Sequence, residues 1–217
     1  MQGRSQRPTV PGTNTQFVDA DSAERLAKET YFTIEEVDAL GELYNKLSNS
    51  VYQDNVMHKE EFMLALFKAK KDNLFGDRVF ELFDIKRNNV IEFGEFVRSL
   101  SVFHPKAPLQ EKATFAFRLY DIGHTGAIER SELKRFLIAL MADNPDIDLD
   151  EKALDEIVDE TFAEMDLSGD GRINPEEWQV LVQRNPGIIS YMTLPVLTEV
   201  CQRFPASSNG SGRRPSL

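Results

Sequence analysis

Asp166, Ser168 and Asp170 stand at alternate positions, Gly171 and Ile173 follow, and Glu177 closes the run at its twelfth residue. A hard divalent cation of calcium's size takes about six to eight oxygens from a flexible loop of this length. The three alternate side chains supply one oxygen each, and the carbonyl of Arg172 supplies a fourth. Asn174 adds a fifth directly or through water, and Glu177 closes the shell with two. Gly171 allows the backbone turn that aims these groups inward. An acidic loop without a ligand does not require an oxygen at each of these positions together with Gly and Ile where they fall.

The arrangement resembles the calcium loop of an EF-hand, and the chain repeats it. Residues 84–95 offer Asp84, Asn88, the carbonyl of Val90, Glu92 and Glu95. Lys86 puts an ammonium at the third position, where an oxygen is wanted, and that substitution is expected to weaken binding. Asn89 replaces the glycine at the sixth position, and Asn tolerates a left-handed backbone. Residues 121–132 offer Asp121, Thr125, the carbonyl of Ala127, Glu129 and Glu132. Gly123 leaves the third position without a side-chain oxygen, so weak binding is expected here too. His124 reads as an exposed loop residue, because imidazole suits this ion poorly. The first repeat, residues 48–61, has no acid at its start. With Glu61 last, Met57 takes the apolar eighth position and the loop begins at Ser50, or at Ser48 if it carries two extra residues. Two readings stay open for it: a calcium site or a structural partner of its neighbour.

Four such loops need helices on either side. Thr33 opens one with a capping box to Glu36, followed by Val37, Leu40, Leu43, Tyr44 and Leu47 at helical spacing. Leu154, Ile157, Val158 and Phe162 line the helix entering the last loop, and Trp178 starts the helix leaving it. The fold expected is all-α: two lobes of paired EF-hands followed by a C-terminal amphipathic helix. Residues 1–17 read as a disordered arm, 18–103 as the N-lobe, 104–108 as a linker, 109–192 as the C-lobe, and 193–217 as the terminal helix and tail. Eighth positions are expected to pair as short strands, Met57 with Ile91 and Ile128 with Ile173. Sensor hands expose an apolar groove on filling. Here Phe62, Leu66, Phe96, Leu100, Leu137, Ile138 and Met141 are its candidate walls. Leu194, Leu197 and Phe204 belong to the terminal helix, which is either a lid over that groove or a packed end piece.

The chain has 217 residues, a net charge of −11 and one cysteine, Cys201. The acidic balance argues against nucleic acid and anionic membrane surfaces as partners. One cysteine excludes an internal disulfide, which suits a reducing compartment. No apolar run reaches the roughly 20 residues of a membrane helix. No signal peptide and no Met-Gly acylation start is visible, so a protein without its own lipid anchor is expected, cytoplasmic or nuclear. The three histidines are scattered, and neither a phosphate-binding glycine loop nor a serine elbow occurs. Catalysis by this chain is not expected. Arg213-Arg214-Pro215-Ser216 has the form of a basophilic kinase site.

The long first loop, the Phe83-Asp84-Ile85-Lys86-Arg87-Asn88-Asn89-Val90-Ile91-Glu92-Phe93 stretch, Tyr120-Asp121, Thr125-Gly126, Ile128-Glu129-Arg130 and the run Asn185-Pro186 to Met192-Thr193-Leu194-Pro195 together resemble the plant calcineurin B-like calcium sensors. The resemblance covers about residues 20–206. It implies a partner, a serine/threonine kinase of the calcineurin B-like-interacting class, whose Asn-Ala-Phe-type helix enters the groove and is relieved of autoinhibition. Ion transport or stress signalling then lies downstream. It also implies that the first loop binds calcium largely through backbone oxygens. Family members often end in a Phe-Pro-Ser-Phe phosphorylation site; here Phe204-Pro205-Ala206 has alanine in the serine's place, which leaves Ser207 or Ser208 as candidates. Many members are lipidated near the N-terminus, and this chain shows no such signal. A regulator of the calcineurin B type, serving a phosphatase, and a calcium buffer are the alternative readings.

Overall fold

A computed structural model describes residues 20–67, 74–143 and 149–189. The described residues are mainly helical. Helix α1 (Ala20–Glu29) lies against α2 (Ile34–Leu47) and α5 (Phe93–Ser101). Then come β1 (Met57–His58), α3 (Lys59–Phe67), α4 (Leu74–Phe83) and β2 (Val90–Ile91), which leads into α5. The second half runs α6 (Leu109–Tyr120), β3 (Ile128–Glu129), α7 (Arg130–Asp143), α8 (Glu151–Met165), β4 (Arg172–Ile173) and α9 (Pro175–Arg184), closing with a 3₁₀ turn at Pro186–Ile189.

Local sequence explains the boundaries. Thr33 caps α2, its hydroxyl accepting from the Glu36 N–H while the Glu36 carboxylate accepts from Thr33. Asp150 caps α8 through the Ala153 N–H, and Asn174 caps α9 with Pro175 at its first turn, where a missing N–H costs nothing. The short strands pair antiparallel in the register expected from the eighth positions, Met57 with Ile91 and Ile128 with Ile173. This makes two pairs of hands: α2–α3 with α4–α5, and α6–α7 with α8–α9.

The two pairs share one continuous core. In the first, Phe62 meets Phe80 and Phe83 edge-on with centroids 5.5 and 5.2 Å apart. Phe103 and Phe115, 5.1 Å apart, carry the packing across to the second. Edge-on rings at such distances each add about 0.5–1.5 kcal/mol beyond their burial. Residues 104–108 are a compact joint between the pairs. His104 and Ala107 are buried there, and His104 Nδ1 accepts the Lys106 N–H at 3.0 Å. The His104 ring also packs edge-on against Phe32. Burial pushes its pKa down against the nearby Glu36 carboxylate, which acts to raise it.

Candidate metal centres

Each loop begins where a helix runs out and ends inside the first turn of the next helix. In loop 4 the two ends meet through hydrogen bonds. Asp166 Oδ1 accepts the N–H groups of Gly169 and Asp170, and Oδ2 accepts that of Gly171 at 2.8 Å. Glu177 Oε1 accepts the Ser168 N–H and Oε2 that of Asn174, at 2.8 and 2.9 Å. Partial burial pushes both carboxyls upward, but these donors outweigh it and hold both pKa values below the ordinary carboxylate range. Asp166 Oδ2 and Glu177 Oε2, with one N–H donor each, keep a second lone pair to give a cation, while Asp166 Oδ1 is already taken by two N–H groups.

Loops 2 and 3 repeat the scheme. Asp84 accepts from the N–H groups of Asn88 and Asn89, and Asp121 from those of Thr125 and Gly126. Glu95 accepts from Lys86 and Glu92, and Glu132 from Gly123 and Glu129. The sixth residue is left-handed in all four loops: Asn55 (φ 62), Asn89 (φ 64), Gly126 (φ 81) and Gly171 (φ 80). The fourth residue is also left-handed in loops 2, 3 and 4, as Arg87, His124 and Gly169.

Their third and fifth positions differ. Lys86 turns its ammonium onto Glu92, and that pair raises the lysine pKa. The ammonium therefore occupies a carboxylate of its own loop instead of supplying an oxygen. Thr125 donates its hydroxyl to the Ala127 carbonyl at 2.9 Å, tying together two of loop 3's candidate ligands.

Loop 1 has the closing half alone. Glu61, fully buried, accepts the Val51 and Tyr52 N–H groups on Oε1 and that of His58 on Oε2. Ser48 is buried at the C-terminal cap of α2, and Asn49 Nδ2 donates to Asn45, Ser48 and Asn55. Asp54 bonds His58 Nε2 at 2.7 Å, which holds its pKa down. Acidic side chains alone form no metal cluster: among the described residues no group of three His, Cys, Asp or Glu converges. What the loops offer is a mixed set of carboxylate, hydroxyl and carbonyl oxygens, the donor chemistry a calcium ion prefers over that of transition metals.

The candidate groove residues divide. Phe62, Phe96 and Leu100 are fully buried in the core, so in this arrangement they face no open groove. Each follows or lies near a closing glutamate on the inward side of its helix, where burial of a large apolar group is worth about 1.5–3 kcal/mol. Leu137 and Met141 on α7 are partly buried, and Ile138 is 49% exposed. The Leu66 side chain lies outside the described residues, as do Leu194, Leu197, Phe204, Ser207 and Ser208. Sequence reasoning missed the buried polar residues Arg78, Ser101 and His104. It also missed the anchor of Trp178, whose indole N–H donates to the Ala113 carbonyl on α6 at 2.7 Å. No helix among the described residues is long and apolar enough to cross a membrane.

A family model described as an EF-hand domain pair matches residues 110–183. Calcineurin B-like protein 5 of Arabidopsis thaliana is 41% identical over 181 residues, covering 83% of this chain and 89% of that protein. The calcineurin B subunit of Naegleria gruberi is 34% identical over 167 residues, covering 77% and 90%. That of Candida glabrata is 33% identical over 160 residues, covering 74% and 87%.

Proposed function

We propose, from the premise that the chain belongs to the plant calcineurin B-like family of EF-hand calcium sensors, that it binds the regulatory helix of a calcineurin B-like-interacting serine/threonine kinase when calcium fills its loops, and so activates that kinase. The observation that carries this reading is the position of the residue after three of the four closing glutamates. Phe62 follows Glu61, Phe96 follows Glu95 and Trp178 follows Glu177, and all three are buried. A cation that draws such a glutamate inward must rotate the helix beginning there, and the rotation moves the aromatic beside it.

Uncovering a Phe side chain costs about 1.5–3 kcal/mol. A partner helix that covers it again recovers that amount, so calcium and partner favour the same open state. Ile138, already half exposed between Leu137 and Met141, is the first point of apolar contact for such a helix. The protein contributes no chemistry of its own on this reading; it acts by binding. It works in the cytoplasm or nucleus and reaches a membrane through its partner. The catalytic chain of a phosphatase is the competing partner, because the relatives at 34% and 33% identity are named as calcineurin B subunits. The higher identity to a calcineurin B-like protein, 41%, favours the kinase.

Calorimetric titration with a peptide of the kinase regulatory helix tests this. Binding at least about tenfold tighter with calcium than with chelator is expected. Equal affinity in both conditions would remove calcium from the gate. Failure to bind in either, with calcium itself still bound, would move the assignment to a phosphatase regulator or a buffer.

A further inference from the structure

Arg78 belongs to the N-lobe by sequence, yet its guanidinium ends in the C-lobe. It sits on α4 and is 4% exposed. Its Nη2 donates to the Arg118 carbonyl at 2.8 Å and to the Asp121 carbonyl at 3.0 Å, and its Nε to the Leu119 carbonyl at 3.4 Å. These carbonyls form the last turn of α6 and the first residue of loop 3, the negative end of the helix dipole. Nη1 pairs with Glu81. Glu81 in turn meets His124 Nε2 at 2.8 Å, and His124 is the left-handed fourth residue of loop 3. So α4 grips loop 3 at its first and fourth residues. The same helix ends at Phe83, immediately before Asp84, the first residue of loop 2.

We infer that Arg78, with Glu81 and His124, is an inter-lobe positioning device that couples filling of loop 2 to filling of loop 3. Strand pairing links loops only within a lobe, Met57 to Ile91 and Ile128 to Ile173. The Arg78 grip links the two loops that the strands leave apart. A cation in loop 2 fixes Asp84 and with it α4. From Arg78 to Asp84 is about 9 Å along a helix rise, short enough to act as one stiff piece. Fixing α4 holds the carbonyl of Asp121, whose own carboxylate is the first ligand of loop 3. Loop 3 needs such support more than loop 4, since Gly123 gives it no side-chain oxygen at the third position. In loop 4 the equivalent carbonyl, that of Asp166, receives no side-chain hydrogen bond among the described residues. Preorganising a site lowers the cost of ordering it on binding. Filling loop 2 therefore raises loop 3's affinity, and linkage makes the effect reciprocal.

The inference rests on calcium binding by loops 2 and 3, so its test has one arm with calcium and one without. In the full chain carrying Glu177→Gln, loop 4 is silenced and Trp178, bonded to α6, reports filling of loop 3. Adding Glu95→Gln to block loop 2 should weaken that transition about fivefold. With Arg78→Met also present, Glu95→Gln should make no further difference. An equal shift in both backgrounds, or no shift in either, would overturn the coupling. In chelator, Arg78→Met should speed hydrogen exchange of the Thr125 and Gly126 amides about tenfold and leave that of Gly171 alone. Equal acceleration in loops 3 and 4, or none in loop 3, would overturn the grip itself. His124→Gly is the gentler variant, because glycine suits its φ of 53 and the Arg78 bonds to the α6 carbonyls stay, while the Glu81 contact and the 3.5 Å approach to Arg78 Nη1 are lost. It should reduce the Glu95→Gln shift without abolishing it; an unchanged shift would remove His124 from the device.

Discussion

Loop 4 and loop 1 close alike: Glu177 accepts N–H groups from Ser168 and Asn174, and Glu61 accepts them from Val51, Tyr52 and His58. At their beginnings they share nothing. Asp166 gathers three backbone donors of loop 4. The start of loop 1, residues 48–53, has no acid, and its Asn49 amide ties neighbouring carbonyl and amide oxygens together. Both loops still present their eighth residue to a paired strand in the same register. The closing glutamate and the strand therefore build the hand, while the opening residues set what it binds. Loops 2 and 3 lie between these extremes, each with an acid first and a defect third, Lys86 or Gly123.

That separation of roles can be broken in several places. Phe62→Ala removes a fully buried ring next to Glu61 and should cost about 3–5 kcal/mol of stability. Chemical denaturation in chelator measures it; a loss below about 1 kcal/mol would mean loop 1's exit helix is not part of the core. Glu177→Gln should weaken the tightest calcium transition roughly 100-fold, since the ion loses a charge and one of two closing oxygens. Glu61→Gln should leave that transition in place while lowering calcium-free stability by about 1–3 kcal/mol, because buried N–H donors lose acceptors. If the two substitutions had the same effect on the first calcium step, loops 1 and 4 would not differ as described.

Lys86→Asp replaces an ammonium by a ligand oxygen and should tighten one of the weaker transitions about tenfold. Calorimetry would read it, and an unchanged isotherm would show that loop 2 is limited by something else. The smallest effect is that of acid. The folded pKa values of Asp166 and Glu177 are lowered. Their stabilisation is therefore present above their unfolded values and is lost as the pH falls through the folded ones. Thermal melts in chelator from neutral pH towards about pH 3 should decline less steeply in Asp166→Asn than in the parent.

Much of this was legible in the sequence because it is periodic. The oxygen positions of loop 4, the strand register and the Thr33 cap follow from spacing alone. The Arg78 grip does not. Nothing in the spacing around Arg78 marks a buried contact, and the carbonyls that receive the guanidinium lie some forty residues on. His104, in a His-Pro turn, reads as a chain break, yet it is buried against Phe32. The groove posed a different problem. Phe62, Phe96 and Leu100 carry one pattern whether they close a core or line an opened groove, because the pattern records apolarity and not the state of the helix pair.

The most direct test of unequal loops is a calcium titration followed at the backbone amides of the four sixth-position residues, Asn55, Asn89, Gly126 and Gly171, by nitrogen-15 NMR. Each amide reports its own loop; those of loops 2, 3 and 4 already bond the first aspartate. The account predicts that Gly171 shifts first, with Asn89, Gly126 and Asn55 following at higher calcium. Asn55 or Asn89 moving before Gly171 would contradict it.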